Sequence, residues 1–288
     1  MMNSFEFRLF FYNYCHNYTT LLSMIYIAFI LFTLLILFIA FYQWQFYMVF
    51  TPTYYRESEL PKNVSLLYVH TQDGCELEGA LYEPENPRAT LLFFAGRSHD
   101  AVALMGKLSS HYSEYRLLTF NYRSYGKSQG KITEKNLYAD ALEIAKLVKK
   151  NYGDFYILGF SLGSAVAAYV ASKYESRGVF LIGSFDSLAS LAQGKFVTRG
   201  FFPNIDLSFL FRYKLPVAEF MSHVDVPSAL FVSKSDEITY IENARKLQKS
   251  IKNLYYYEEF DTLSHKELLW DERVVGKIKE LIDANSEK

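Results

Sequence analysis

Gly159-Phe160-Ser161-Leu162-Gly163 follows a short apolar run, Phe155–Leu158, and precedes Ser164–Ala171, which reads as a helix. Strand, sharp turn and helix together are the setting in which a serine flanked by glycines forms a nucleophile elbow. The glycines leave room for a tight, closely packed turn, so the serine hydroxyl stands at its tip. The helix N-terminus beneath it favours developing negative charge.

A serine at such a turn needs a base, and the base needs an orienting carboxylate, in the chain order Ser, then Asp or Glu, then His. Only His223 and His265 follow Ser161. His223 stands before Val226-Pro227 at the entry to a strand, the wrong end of a sheet. His265 follows the last strand, within Asp261–Glu267, and is the candidate general base. Asp236, immediately after the penultimate strand, is the preferred acid, with the adjacent Glu237 and Asp186 as substitutes. The tetrahedral intermediate needs backbone donors, for which the N–H groups of Leu162 and Arg97 are the candidates, Arg97 lying in the loop Ala95–His99. His99 and Asp100 read as solvated loop residues. They lack partners at ligand spacing, so no metal site is expected, and no organic cofactor either.

Outward from the elbow, short apolar runs predict strands at Val64–Val69, Glu76–Tyr82, Thr90–Ala95, Leu117–Phe120, Phe155–Leu158, Val179–Ile182, Ala229–Val232 and Leu254–Tyr257. Gln72-Asp73-Gly74 joins the first two as a hairpin. Helical periodicity marks Leu137–Lys150, Ile241–Ile251 and Asp271–Asp283. A hairpin followed by alternating strands and helices predicts an α/β fold, a mostly parallel eight-stranded sheet with helices on both faces. Functional residues then collect at the carboxyl ends of the strands. Residues 184–222 interrupt the alternation, with Phe201-Phe202-Pro203 and an apolar piece at Leu207–Phe211. They read either as a short cap or as a long connection.

Leu21–Ala40 carries no charge, and fourteen of its positions are Leu, Ile or Phe. At about 0.3–0.6 kcal/mol each, these favour membrane insertion by roughly 4–8 kcal/mol. Aromatic residues flank the stretch on both sides, as at a bilayer interface. Its length and the absence of a small-residue cleavage site argue against a signal peptide, so residues 1–50 read as a tail with one membrane-spanning anchor. Arg8 before the span and Arg56 and Lys62 after it favour, by one charge, a cytoplasmic catalytic domain. Residues 51–63 read as a linker and 64–288 as the catalytic domain. The net charge of -1 and the absence of a long basic run argue against nucleic acid as a partner. Two cysteines, Cys15 and Cys75, do not make a disulfide framework.

From about Val64 onward the chain resembles the α/β-hydrolase superfamily, nearest to the membrane-anchored serine hydrolases that include protein depalmitoylases. Besides the elbow, Asn121-Tyr122-Arg123-Ser124-Tyr125-Gly126-Lys127-Ser128-Gln129-Gly130 is similar to that family's D-Y-R-G-Y-G-x-S-x-G loop. Ser184–Leu188, Val226-Pro227, Lys234–Glu237 and Ser264-His265 fall in the family's order. The chain departs from the family where Ala95-Gly96 replaces His-Gly, Asn121 replaces aspartate and Ser124 replaces glycine. The expectation is a membrane-anchored serine hydrolase acting on ester or thioester bonds of lipid-derived or acylated substrates. A non-catalytic module of the same fold and an acyltransferase using the same residues are the alternatives.

Overall fold

The computed structural model describes residues 4–54, 60–61, 63–197 and 208–286. Contacts divide the chain into two compact units, Met1–Met48 and Val49–Lys288. The first is most of one long helix, α1 (Ser4–Val49). Its apolar stretch, His16–Val49, is 34 residues long with an 18-residue window of mean hydropathy 2.9. At 1.5 Å per residue it covers about 50 Å, enough to cross a bilayer. Such length and apolarity are shared by membrane spans and signal sequences.

The second unit holds all eight predicted strands: β1 (Val64–His70), β2 (Glu76–Tyr82), β3 (Thr90–Phe94), β4 (Arg116–Phe120), β5 (Phe155–Phe160), β6 (Gly178–Ile182), β7 (Ser228–Ser233) and β8 (Leu254–Phe260). They form one sheet in the order β1-β2-β4-β3-β5-β6-β7-β8. β2 pairs antiparallel with β1 and β4, and every other pairing is parallel. Gly74 supplies the positive φ of the first hairpin, +81°.

The helices that follow are α2 (Ala101–His111), α3 (Glu134–Tyr152), α4 (Leu162–Lys173), α5 (Leu188–Val197), α6 (Val217–Met221), α7 (Ile241–Ser250), α8 (His265–Leu268) and α9 (Glu272–Ser286). Strand residues alternate between two layers, as the period of two requires. Leu91, Phe93, Tyr156, Leu158 and Phe231 share a core with Met105 and Leu108 of α2 and Val274, Ile278 and Ile282 of α9. On the other layer α4 packs on β5 and β6, with α3 and α6 against it and α7 on β7. The expected mostly parallel sheet is therefore present, covered by helices. α2 has no counterpart among the expected helices. Its residues Ala101–His111 are short and weakly periodic, and the start is set by a side chain whose role depends on distant partners.

Between Ser184 and Ser222 the described residues form α5, a single 3₁₀ turn at Ser208–Leu210 and α6. Phe201-Phe202-Pro203 lies outside the described residues, as do Arg56 and Lys62 of the charge comparison.

Candidate active site

β5 ends at Phe160 and α4 begins at Leu162, so Ser161 alone makes the turn. Its φ of +55° lies where a non-glycine residue is strained. The conformation is held by neighbours: Ser161 N–H donates to Ile182 O at 3.0 Å. Ser164 Oγ stands 2.6 Å from Ser161 O. Both glycines are required by close approach. A Cβ on Gly163 would lie 2.0 Å from Phe94 O, and one on Gly159 2.5 Å from Gly163 O. Leu162, as the first residue of α4, carries one of the N–H groups that a helix leaves without an internal acceptor.

His265 opens α8, where Ser264 N–H and Oγ–H both donate to Glu267 Oε2 at 2.8 and 2.7 Å. This cap fixes the backbone of the residue next to it. The imidazole is buried, lies against the Phe160 ring at 4.9 Å between centroids, and has its Nδ1 2.7 Å from Asp236 Oδ2. The ring thus sits on the residue directly before Ser161, at the carboxyl end of β5.

Asp236 lies in the turn after β7 and is buried. Its Oδ1 accepts the N–H groups of Ile238 and Thr239 at 2.8 and 2.7 Å, and Oδ2 accepts the Thr239 hydroxyl at 2.6 Å. Burial alone would push its pKa up, but the bonds from His265 and Thr239 outweigh it and hold the carboxyl below the ordinary aspartate value. An ionised carboxylate only accepts, so Nδ1 of His265 bears the proton, and in the neutral ring Nε2 keeps a free lone pair.

Of the two substitutes for the acid, Glu237 Oε2 accepts the backbone N–H of His265 at 3.2 Å, not the ring. Asp186 Oδ1 instead accepts Asn243 Nδ2 at 2.7 Å. Thr239 was not singled out by the sequence; a hydroxyl three residues after a loop aspartate is the signal that could have found it.

The Ala95–His99 loop joins β3 to α2. His99 and Asp100 are not the solvated residues expected from the sequence. Asp100 is buried and caps α2, accepting Val102 and Ala103 N–H at 3.1 and 3.2 Å. The helix start needs acceptors for its first N–H groups, and this carboxylate supplies one. His99 stands edge-on to Phe160 with centroids 5.8 Å apart. A Cβ on Gly96 would fall 3.0 Å from His99 Nδ1 and 3.1 Å from the Phe160 ring, so a larger residue here requires those rings to give by a few tenths of an ångström. No cluster of three or more His, Cys, Asp or Glu that could hold a metal ion occurs among the described residues.

The tyrosine-rich loop explains two departures from the family pattern. Asn121 Nδ2 donates to both Glu78 Oε2 and Asp100 Oδ1, at 3.1 and 2.8 Å, while its Oδ1 accepts Ala101 N–H at 2.7 Å. An aspartate there would replace this donor with a third carboxylate beside Glu78 and Asp100, a like-charge arrangement that the amide avoids. Ser124 adopts φ +68°, which a glycine takes freely, and donates to Gly130 O at 2.9 Å. Arg123 is buried and bridges Asp73 of the first hairpin and Asp140 of α3.

A serine alone at a strand-to-helix turn, with a carboxylate-paired histidine packed on the residue before it, on a sheet of this strand order, decides the fold. This is an α/β-hydrolase fold. A sequence model of the alpha/beta hydrolase fold family matches residues 91–197. Human alpha/beta hydrolase domain-containing protein 17B is 34% identical over 134 residues, 42% of this chain and 45% of that protein. The rat lysophosphatidylserine lipase ABHD12 is 29% identical over 147 residues, 46% of this chain and 37% of the lipase. The matches thus span less than half the length of these curated relatives. Among solved structures, the Pyrococcus furiosus esterase Pf2001 superposes with a TM-score of 0.64 at 18% identity, covering 81% of this chain and 98% of the esterase. An acetyl xylan esterase from Paenibacillus sp. R4 gives 0.61 at 12% identity, over 81% and 88%. These structural likenesses establish the α/β-hydrolase fold.

Proposed function

We propose that the chain is a serine hydrolase that cleaves carboxylic ester or thioester bonds through an acyl-enzyme. The observation that carries this reading is the 2.7 Å pair of His265 Nδ1 and Asp236 Oδ2, with the imidazole lying on the residue that precedes Ser161. In this reading Ser161 Oγ attacks the acyl carbon and His265 Nε2 takes its proton. Asp236 fixes the tautomer and stabilises the imidazolium that forms. The tetrahedral oxyanion accepts hydrogen bonds from the N–H groups of Leu162 and Arg97. His265 then protonates the departing alcohol or thiol, and a water activated by the same Nε2 releases the acid. The steps use protein groups and water.

The substrate class rests on two supports: the lipase and esterase names of similar proteins, and the apolar stretch His16–Val49. We read α1 as a single-pass anchor that brings lipid-derived or acylated substrates to a catalytic unit on the cytoplasmic side.

Labelling by a fluorophosphonate probe tests the chemistry. Detergent-solubilised wild type should label and Ser161→Ala should not; an unlabelled wild type sinks the reading. Alkaline carbonate extraction tests the anchor. The full-length chain should stay with the membrane pellet, and release of a shortened chain would show α1 to be a cleaved signal.

A further inference from the structure

In the loop carrying Arg97, three successive peptides are each held by their carbonyl. The Tyr122 hydroxyl donates to Ala95 O at 2.8 Å, His99 N–H to Gly96 O at 3.2 Å, and the Tyr125 hydroxyl to Arg97 O at 2.6 Å. N–H and C=O point in opposite directions across a planar trans peptide, so the bond to Gly96 O also sets the direction of the Arg97 N–H. The clamped peptides on either side keep that plane from rotating.

The third clamp has a further member. The Tyr125 hydroxyl accepts Thr51 N–H at 2.9 Å, and the same N–H reaches Arg97 O at 3.2 Å. Thr53 O accepts Gly126 N–H at 2.9 Å, two residues beyond Ser124 in the same loop. Phe50 is fully buried and stands edge-on to Tyr213, centroids 5.2 Å apart. The segment that reads as the start of a linker is therefore fastened, through Thr51 N–H and Thr53 O, to the loops carrying Arg97 and Tyr125.

We propose that Thr51 and Tyr125 are positioning residues for the oxyanion site. The Thr51 N–H and Tyr125 hydroxyl close a triangle of hydrogen bonds on the Arg97 carbonyl and hold the preceding N–H where the tetrahedral oxyanion forms. The proposal rests on the reading of Arg97 N–H as an oxyanion donor and deepens it. It makes the residues immediately after the apolar helix contribute to turnover and not to tethering alone. An interaction felt only in the transition state changes kcat and leaves KM unaltered.

The test uses the full-length chain in detergent with p-nitrophenyl butyrate as substrate and a trifluoromethyl ketone, whose adduct carries the oxyanion, as inhibitor. Tyr125→Phe removes the hydroxyl and Thr51→Pro removes the N–H. Each should lower kcat about 10-fold, a fraction of the 100- to 1000-fold attached to losing a whole donor. KM should stay within about twofold and Ki for the ketone should rise in parallel with the fall in kcat. Thr51→Ala, which keeps the N–H, should rescue the loss seen with proline. If Thr51→Pro does not fold, Tyr125→Phe decides alone. Unchanged kcat and Ki in these variants, beside a wild type whose activity depends on Ser161, overturns the clamp and spares the function. A parallel change in KM with a lowered melting temperature marks a merely structural brace and also overturns it. A wild type that turns nothing over, or a Ser161→Ala variant that remains active, removes the function and the clamp with it.

Discussion

Thr239 donates its hydroxyl to the same oxygen of Asp236, Oδ2, that receives Nδ1–H of His265, at 2.6 Å against 2.7 Å. With two backbone N–H groups on Oδ1, the carboxylate has four donors around it and one orientation.

That arrangement separates Asp236 from its neighbours in a mutational series. Asp236→Asn presents an amide where His265 needs an acceptor, favours the wrong tautomer and should lower kcat by roughly 1000- to 10,000-fold. Thr239→Val removes one donor of four and should cost about 10-fold or less, with Thr239→Ser close to wild type. Glu237→Gln and Asp186→Asn, whose carboxylates do not touch the ring, should keep most of their turnover. Ester hydrolysis by the purified variants checks the order; a damaging Asp186→Asn beside a harmless Asp236→Asn reverses the assignment.

Gly183 tests the placement of the ring from its other side. Its φ is +56°, and a Cβ there would lie 3.0 Å from His265 Cε1 and 3.2 Å from Nδ1. Gly183→Ala should displace the imidazole, lowering kcat by about 10- to 100-fold, and should cost on the order of 1 kcal/mol of stability for the backbone alone. Kinetics and a denaturant melt on one preparation distinguish the two effects. Wild-type kcat in the folded variant would show that the ring has room to spare.

The His99 imidazole should make stability depend on pH. Burial pushes its pKa below the ordinary 6.5, and the nearby His265 and Lys266 act in the same direction. The unfolded chain therefore takes up a proton at a pH where the folded chain still resists it. The stability from a neutral His99 is complete above 6.5 and declines as pH falls below that value. Melting temperatures measured between about pH 7 and 5 should fall less steeply for His99→Gln than for wild type. Parallel curves would mean that other groups govern the acid side.

Residues 49–54 belong to the compact sheet unit, where Phe50 is 0% and Val49 4% exposed. A chain starting at Val49 should be more stable than one starting at Tyr54, by up to about 1.5–3 kcal/mol for each apolar side chain retained. Chemical denaturation of the two chains gives the comparison. Equal midpoints would show that the burial of Phe50 contributes little to holding the fold.

Strands, the elbow and the order of Ser161, Asp236 and His265 were legible because each is a local signal. Apolar runs of four to eight residues, a glycine pair and loop positions relative to strands are written in adjacent residues. Phe155–Leu158 lengthened to Phe160, Glu76–Tyr82 kept both its bounds, and the other strands moved by one to three residues at an end, without changing which loop carries which side chain. What the sequence left open was decided by partners far apart in the chain. Asp236 and Glu237 are neighbours with the same charge, and only the fold brings one carboxylate to Nδ1 of His265 and the other to its backbone N–H. Asp100 reads as a solvated loop residue until Asn121, twenty-one positions later, is seen to join it to Glu78. Thr51 looks like linker because its hydrogen bond to Tyr125 spans 74 residues. Periodicity reports which face of an element is apolar, whereas a buried polar group is satisfied by whatever the packed chain brings within about 3 Å. That pairing exists only once the sheet has closed around it.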